Sequence, residues 1–386
     1  MTNKVLLIGL GHVGGEILHT LARAKGITEI VGADIDENAG TRKIKEASLG
    51  AAALGLYPKI RFRRIDIKND VEGVVELLKE FEPNLVFNTA DLFPYYRFEV
   101  DLPKEIVRKI GEASKCGFVA ALPFRLIIPY KLMTAVKKSG IKTHVLITND
   151  PCEAINPLLD KVGLAPTAGI GDFAHFIEPI RSVVSSKLNV PMRSVQVFLI
   201  AHHSTLHLFQ RRIIPDKSTY FLRVLSDDKD VTKNWSPEEI LLEAVGGSRS
   251  PEGERLSVFD PHFTASIAVG DMLAILNDTG EIRHCPGPSG LVGGYPVRLS
   301  SKGAEVYVPE GITFKEAIKM NEEAQKQEGI EKIRDDGTVV FTDEAHRILD
   351  EVMNWKIKEF KVTDCEKVAE QLNVAYKELL NKYKKI

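Results

Sequence analysis

Gly9, Gly11 and Gly14 stand in the spacing G-x-G-x-x-G immediately after the apolar run VLLI at 5–8. In such a loop the first glycine lets the chain turn sharply, the second leaves room for a pyrophosphate against the backbone, and the third lets a helix pack close to the strand. The amides that open that helix then point at the phosphates. His12 and Val13 lie inside the same loop, among the positions that would line the ligand. Asp34 closes the next apolar run. A carboxylate there accepts both ribose hydroxyls and repels a 2′-phosphate, so the expected cofactor is NAD rather than NADP.

The elements around these residues fit that reading. From position 4 to about 149 short apolar runs alternate with amphipathic segments, the pattern of parallel strands joined by crossover helices. Strands are expected at 4–8, 27–33, 60–66, 84–88, 118–121 and 143–147, and most are unbroken in Val, Ile, Leu or Phe, as when both sheet faces are covered. The first helix, 12–24, carries Val13, Ile17, Leu18 and Leu21 on one stripe and stops at Gly26. Residues 1–150 are thus expected to form a Rossmann domain, a doubly wound α/β parallel sheet. Beyond Pro151 the glycine fingerprint does not recur, and residues 151–386 are expected to form a second, substrate-binding domain. It should contain an amphipathic segment at 173–188, a strand at 195–201 and a further helix at 264–276, followed by the glycine-rich GPSGLVGGYPV. A charged excursion near 205–262 reads as an insertion. It holds one helix with Ser236, Pro237 and Glu239 at its start and Gly246 as its stop, and the last helix should open at Thr363 and Glu366.

Composition limits the function classes. The 386 residues hold 51 Lys plus Arg against 53 Asp plus Glu, without the positive field of a nucleic-acid binder. Charges interrupt the apolar runs before the roughly 18 residues needed to cross a bilayer, so no membrane partner is expected. The N-terminus enters a strand pattern without a leader, which predicts a cytoplasmic protein. Cys116, Cys152, Cys285 and Cys365 are far apart with no C-x-x-C pair, so they are read as reduced thiols, and no metal-ligand spacing is recognised.

At this point the chain resembles the lactate and malate dehydrogenase superfamily. GLGHVGG followed by VGADID resembles that family's first strand, loop and second strand, and ITNDP at 147–151 resembles the turn after its last nucleotide-domain strand. SSKLNVPMRSVQVFLIAHHS resembles the helix, turn and strand that end in its catalytic histidine; FTASIAVGDMLAILND and the segment from YPV to KEA resemble later parts of its substrate domain. The resemblance implies an α+β catalytic domain after the Rossmann domain. It also implies that Asn149 contacts the nicotinamide ribose and the substrate, and that His203 is the general base, for which an imidazole is suited. His202 competes for that role, and successive strand residues should place the two histidines on opposite faces. For the same reason Cys152 with the two histidines is not a persuasive ligand set. The family's acid and arginine pair, which orients the histidine and clamps a substrate carboxylate, is nearest matched by Glu178 and Arg181, two residues out of register. Either these two act from a displaced helix or the substrate is not a simple 2-hydroxy acid. The family's mobile loop corresponds to NTADLFPYYRFEVD, with Arg97 as an anion contact and Asp91, Tyr95 and Tyr96 as unfamiliar neighbours.

The expected activity is hydride transfer between a secondary alcohol, a hydroxy acid or similar small polar metabolite, and NAD, in a homodimer or homotetramer by resemblance. Two alternatives are an NAD-assisted lyase or glycosidase-like enzyme in which the redox step is transient, and a non-catalytic NAD sensor. Net release of NADH separates the dehydrogenase from the first alternative.

Overall fold

The computed structural model describes residues 3–94, 97–113, 118–246 and 260–383. In β1 (Lys4–Ile8), Leu6 and Ile8 enter one core while Val5 and Leu7 enter another. The period of two along a strand covered on both sides therefore gives an unbroken apolar run. β2 (Glu29–Asp34), β3 (Lys59–Arg64), β4 (Leu85–Asn88), β5 (His144–Ile147) and β6 (Ala168–Gly169) complete a parallel sheet in the order β3-β2-β1-β4-β5-β6. The order reverses between β1 and β4. A doubly wound sheet opens its ligand crevice beyond the carboxyl ends of the strands at such a point.

Two expectations for this sheet are corrected. The run 118–121 is a 3-10 turn, Phe118–Ala121, leading into the helix Leu122–Ser139. Four apolar residues look alike in a buried strand and at the start of a buried helix, and Pro123 in the helix's first turn marks the second. The sixth strand is instead Ala168–Gly169, two residues paired with Leu146 and Ile147, so the parallel sheet continues past Pro151.

The second sheet is antiparallel, with β7 (Val195–Ala201), β8 (Tyr220–Ser226), β9 (Lys229–Asp230), β10 (Glu281–Pro286), β11 (Gly294–Ser300) and β12 (Gly303–Val306). β8 pairs along the whole of β7 and alternates buried and half-buried side chains. The described part of 205–262 is therefore structural in this sheet rather than an excursion from it; the stretch GGSRSPEGE falls largely outside the described residues. The predicted helix within it is Pro237–Gly246, and Ser236 accepts from the Glu239 amide. The glycine-rich turn joins β10 to β11. A third sheet, β13 (Ile330–Ile333), β14 (Thr338–Phe341) and β15 (Glu359–Lys361), carries the helices Asp343–Met353 and Cys365–Tyr383.

The C-terminal segment shares a core with the first sheet. Phe341, Leu349, Trp355 and Leu372 belong to one cluster with Val86, Leu126 and Val145. On the other sheet face Ala265, Ala268 and Met272 of the helix Pro261–Leu276 join Ile17, Leu18 and Leu21 of the helix His12–Ala22. The 21-residue stretch Val119–Ser139, with an 18-residue window of mean hydropathy 1.4, is long and apolar enough to span a membrane by composition, contrary to the sequence expectation. Of that window 72% is buried within this fold, and the cation of Arg125 lies inside it.

Candidate active site

The glycine loop follows β1 and faces the end of β4. Gly9 has φ +83, and a Cβ there would lie 2.5 Å from the Ala90 nitrogen. A Cβ on Gly14 would collide with the Gly9 carbonyl oxygen and lie 2.6 Å from Thr89 Oγ1. These two glycines are required by the protein's own backbone. Gly11 is different: a Cβ there meets nothing within 4 Å. It caps the helix His12–Ala22 without a side chain, so the free space lies at a helix N-terminus, where anions bind. His12 is exposed and Val13 half-buried at the start of that helix. Asp34 Oδ2 accepts from the Leu10 amide at 2.5 Å and Oδ1 from the Asp36 amide at 3.0 Å. Asp36 caps the next helix through the Ala39 amide, which leaves Asp34 as the acid tied to the loop. Lys43 Nζ donates to the carbonyls of Leu10 and Gly11.

Asn149 ends the crevice on the far side. Its Oδ1 accepts from Asn88 Nδ2 at 2.7 Å, and its Nδ2 donates to the Ala90 carbonyl at 2.8 Å, so the turn after β5 is fixed to the end of β4. Arg125 is buried behind this turn, with Nη1 donating to the Asp150 carbonyl at 2.8 Å and Nε to the Phe93 carbonyl at 3.2 Å. Sequence reading passed over it as part of an apolar helix. Arg97, in contrast, is exposed in the short helix Arg97–Asp101 and bonds Asp101 at 2.5 Å, which also accepts from the Tyr376 hydroxyl. Asp91 is the half-buried acid 4.0 Å from Arg125; Tyr95 and Tyr96 lie outside the described residues.

The histidine pair departs from expectation. β7 ends at Ala201; His202 is the N-cap and His203 the first residue of the helix His203–Gln210. Strand alternation does not reach them, and their rings lie 4.5 Å apart at 31° rather than on opposite faces. Both are wholly buried. Glu153, from the helix Cys152–Asp160, places Oε2 2.7 Å from the His203 amide, 2.9 Å from its Nδ1 and 3.4 Å from His202 Nε2. Glu328 meets His203 Nε2 at 3.0 Å. The acids bonded to the His203 ring are thus Glu153 and Glu328. Glu178 and Arg181 pair with each other at 2.7 Å on the partly exposed side of the helix Ala174–Leu188, and neither bonds to His202, His203 or Asn149.

The start of that helix brings Asp172 and His175 inward instead. Asp172 has φ +52, is 7% exposed, and its Oδ2 has no hydrogen-bond partner. Ligand-type atoms of Asp150, Cys152 and Asp172 lie within 4.8 Å of one another, as do those of Glu153, His202 and His203. Burial pushes the Asp172 carboxyl well above the ordinary range and the Asp150 carboxyl up to about 6, opposed at Asp150 by the Arg125 charge. Burial also raises Glu153, opposed by its bonds from His203, and holds His202 neutral, with the neighbouring His203 adding to the effect. His175 donates to or accepts from Thr264 Oγ1 at 2.9 Å, and burial pushes it down to about 4. His262, far out on the surface, pairs with Glu16.

Glu153, Asp172, Glu328 and Arg125 were not singled out in the sequence. A signal existed for two of them: Glu153 is the one charge in CEAINPLL directly after the ITNDP turn, and Arg125 is the one charge in FVAALPFRLIIPY.

Residues 5–99 match the family described as the saccharopine dehydrogenase NADP binding domain, a different family from the one the sequence resembles by eye. No curated protein matches the chain. Among solved structures, a lactate dehydrogenase, MGS-M5, from a Medee basin deep-sea metagenome library is 16% identical with a TM-score of 0.56, covering 85% of this chain and 97% of its own. The malate dehydrogenase of Picrophilus torridus is 16% identical with a TM-score of 0.60 over the same shares. The malate dehydrogenase of Plasmodium falciparum in complex with NADH is 16% identical with a TM-score of 0.53, covering 84% of this chain and 95% of its own. The chain has the lactate and malate dehydrogenase fold. At these identities the likeness concerns the fold.

Proposed function

We propose that this protein is a nicotinamide-dinucleotide-dependent oxidoreductase that interconverts a secondary alcohol and a carbonyl on a small polar substrate, with NAD preferred. The observation that carries the reading is the free space at Gly11, bounded by two sterically obligatory glycines, a helix N-terminus and the Asp34 carboxylate. The NADP in the name of the matched family and the NADH in a structural neighbour support the same class of cofactor. When bound, the nicotinamide would accept hydride from the carbinol carbon.

The chain's own residues would do the rest. Asn149 has an amide already oriented by Asn88 and Ala90, suited to ordering the ribose and the substrate. His203 lies between two carboxylates, Glu153 at Nδ1 and Glu328 at Nε2. For His203 to take the hydroxyl proton, Glu328 must release Nε2 to the substrate, while Glu153 stays on Nδ1 and stabilises the imidazolium that forms. With Glu178 and Arg181 paired to each other, the buried guanidinium of Arg125 is the cation nearest the Asn149 turn, and an anionic substrate group would be oriented from that side.

The test is a scan of hydroxy acids, amino-alcohols and polyols for net NADH formation by the full chain. Formation of stoichiometric NADH supports the oxidoreductase reading; product formation without it identifies transient redox. The cofactor preference has its own test. Asp34→Ser combined with Ile35→Arg, at an exposed neighbour, should shift the affinity ratio toward NADP by at least tenfold, because a repelling charge is replaced by an attracting one. Wild-type protein that binds NADP as tightly as NAD would remove the role assigned to Asp34.

A further inference from the structure

We propose that Asp150, Cys152 and Asp172 form a binding site for one divalent transition-metal cation of the zinc type, beside the Asn149 turn. The paired strands β5 and β6 deliver these residues to one place. Asp150 and Cys152 follow β5, Asp172 follows β6, and the strands are in register at Leu146 with Ala168 and Ile147 with Gly169. Gly169 has no side chain where a Cβ would lie 2.8 Å from Cys152 Sγ, so the thiol sits against the β6 backbone.

The groups present are poorly matched to an empty protein interior. Asp172 Oδ2 is buried without a hydrogen-bond partner, and an ionised carboxylate in that condition is strongly disfavoured. A divalent cation changes the balance: one thiolate and two carboxylates sum to three negative charges and the cation supplies two positive ones, while the guanidinium of Arg125, bonded to the Asp150 carbonyl and 4.0 Å from Asp91, lies beside the site. Binding releases the thiol proton as the sulfur-metal bond forms, together with any proton held by the carboxyls.

The donor set also selects the ion. A thiolate with two carboxylates suits zinc or a neighbouring first-row ion rather than calcium or magnesium. Ligand atoms around a tetrahedral zinc are about 3.5 Å apart, so side-chain shifts of about 1 Å would close the observed cluster. Three protein ligands leave a fourth position for water or a substrate oxygen, the arrangement of catalytic rather than structural zinc. The neighbouring Glu153, His202 and His203 are less available. Both ring nitrogens of His203 face carboxylates and His202 Nδ1 accepts from the Ser204 amide, so the open ligand atoms of that cluster are His202 Nε2 and Glu153 Oε1, two rather than three.

The proposal stands apart from the oxidoreductase reading and is tested without turnover. The full chain is stripped with a chelator and titrated with Co²⁺, then with Zn²⁺ in competition. One equivalent should bind with a near-ultraviolet thiolate-to-cobalt band. Cys152→Ser should remove the band, and Asp172→Asn should weaken Co²⁺ binding at least 100-fold. Asp172→Asn keeps the side-chain shape, and Asn adopts the left-handed backbone of that position (φ +52) as readily as Asp, so the metal-free variant should be no less stable than wild type, which keeps the test valid should Cys152→Ser fail to fold. No binding of either ion by wild type overturns the proposal. So does unchanged affinity in Asp172→Asn, or loss of binding in His202→Asn with the band intact in Cys152→Ser. NAD affinity of the metal-free chain, measured in parallel, bears on the oxidoreductase reading alone.

Discussion

Gly11→Val should lower NAD affinity by at least 100-fold while the protein keeps its far-ultraviolet circular dichroism and melts near the wild-type temperature. The two halves of that result come from one fact. A Cβ at Gly11 meets no protein atom within 4 Å, and its backbone has φ −65, outside the left-handed region, so a side chain is tolerated by the fold. The same side chain fills the space proposed for the pyrophosphate, against the first turn of the helix His12–Ala22. Gly14→Ala should show the opposite signature. Its Cβ collides with the Gly9 carbonyl, so the loop must move and stability falls before any ligand is added. Calorimetry on the folded Gly11→Val protein decides the placement: unchanged NAD affinity would mean that the dinucleotide does not cross this loop. Equal loss of stability in both variants would mean that Gly11 is another packing glycine.

The loop was legible in the sequence because its parts are contiguous. A strand buried on both faces, a tight turn and a helix occupy residues 4–22, and each leaves its own local mark. Legibility fell where marks were short or shared. Ala168–Gly169 contributes two small residues to the sheet, fewer than any periodicity can register. The run at 118–121 had the apolar content of a strand but was the entrance to a helix. β8 alternates as a half-buried strand should, yet the charges on either side of it suggested an excursion.

The candidate site was less legible, for a physical reason. Glu153, Asp172, His203 and Glu328 come from four separate segments, and tertiary packing alone brings them together. The spacing that drew attention to Glu178 and Arg181 is also the i, i+3 spacing at which an acid and a base on one helix satisfy each other, and they do so here. Likewise, the alternation applied to His202 and His203 is a property of strands, and the strand stops one residue before the pair.

His203→Asn should lower turnover by about 10² to 10⁴, the usual effect of removing a positioned general base, with NAD affinity near that of wild type. His202→Asn should do much less, since His202 is a neutral N-cap whose Nδ1 is occupied by the Ser204 amide. The structure adds a second consequence. The His203 ring bonds Glu153 at Nδ1 and Glu328 at Nε2, all three side chains being wholly buried, and its removal leaves two carboxylates without their shared donor. Breaking a buried charge pair in this way costs about 3–5 kcal/mol, so kinetics must be read well below the variant's melting temperature. Glu153→Gln separates catalysis from stability, because the amide keeps the shape of the site and can still accept a hydrogen bond at Nδ1 through its oxygen. It lacks the charge that stabilises the imidazolium, so kcat should fall with little change in KM, and the acidic limb of the pH profile should move to lower pH as the imidazole becomes less basic. A purely structural histidine would leave that limb in place. Should the two histidine variants lose activity in the opposite order, His202 is the base; should neither lose it on a substrate that wild type oxidises, the Glu153–His203–Glu328 chain takes no part in proton transfer.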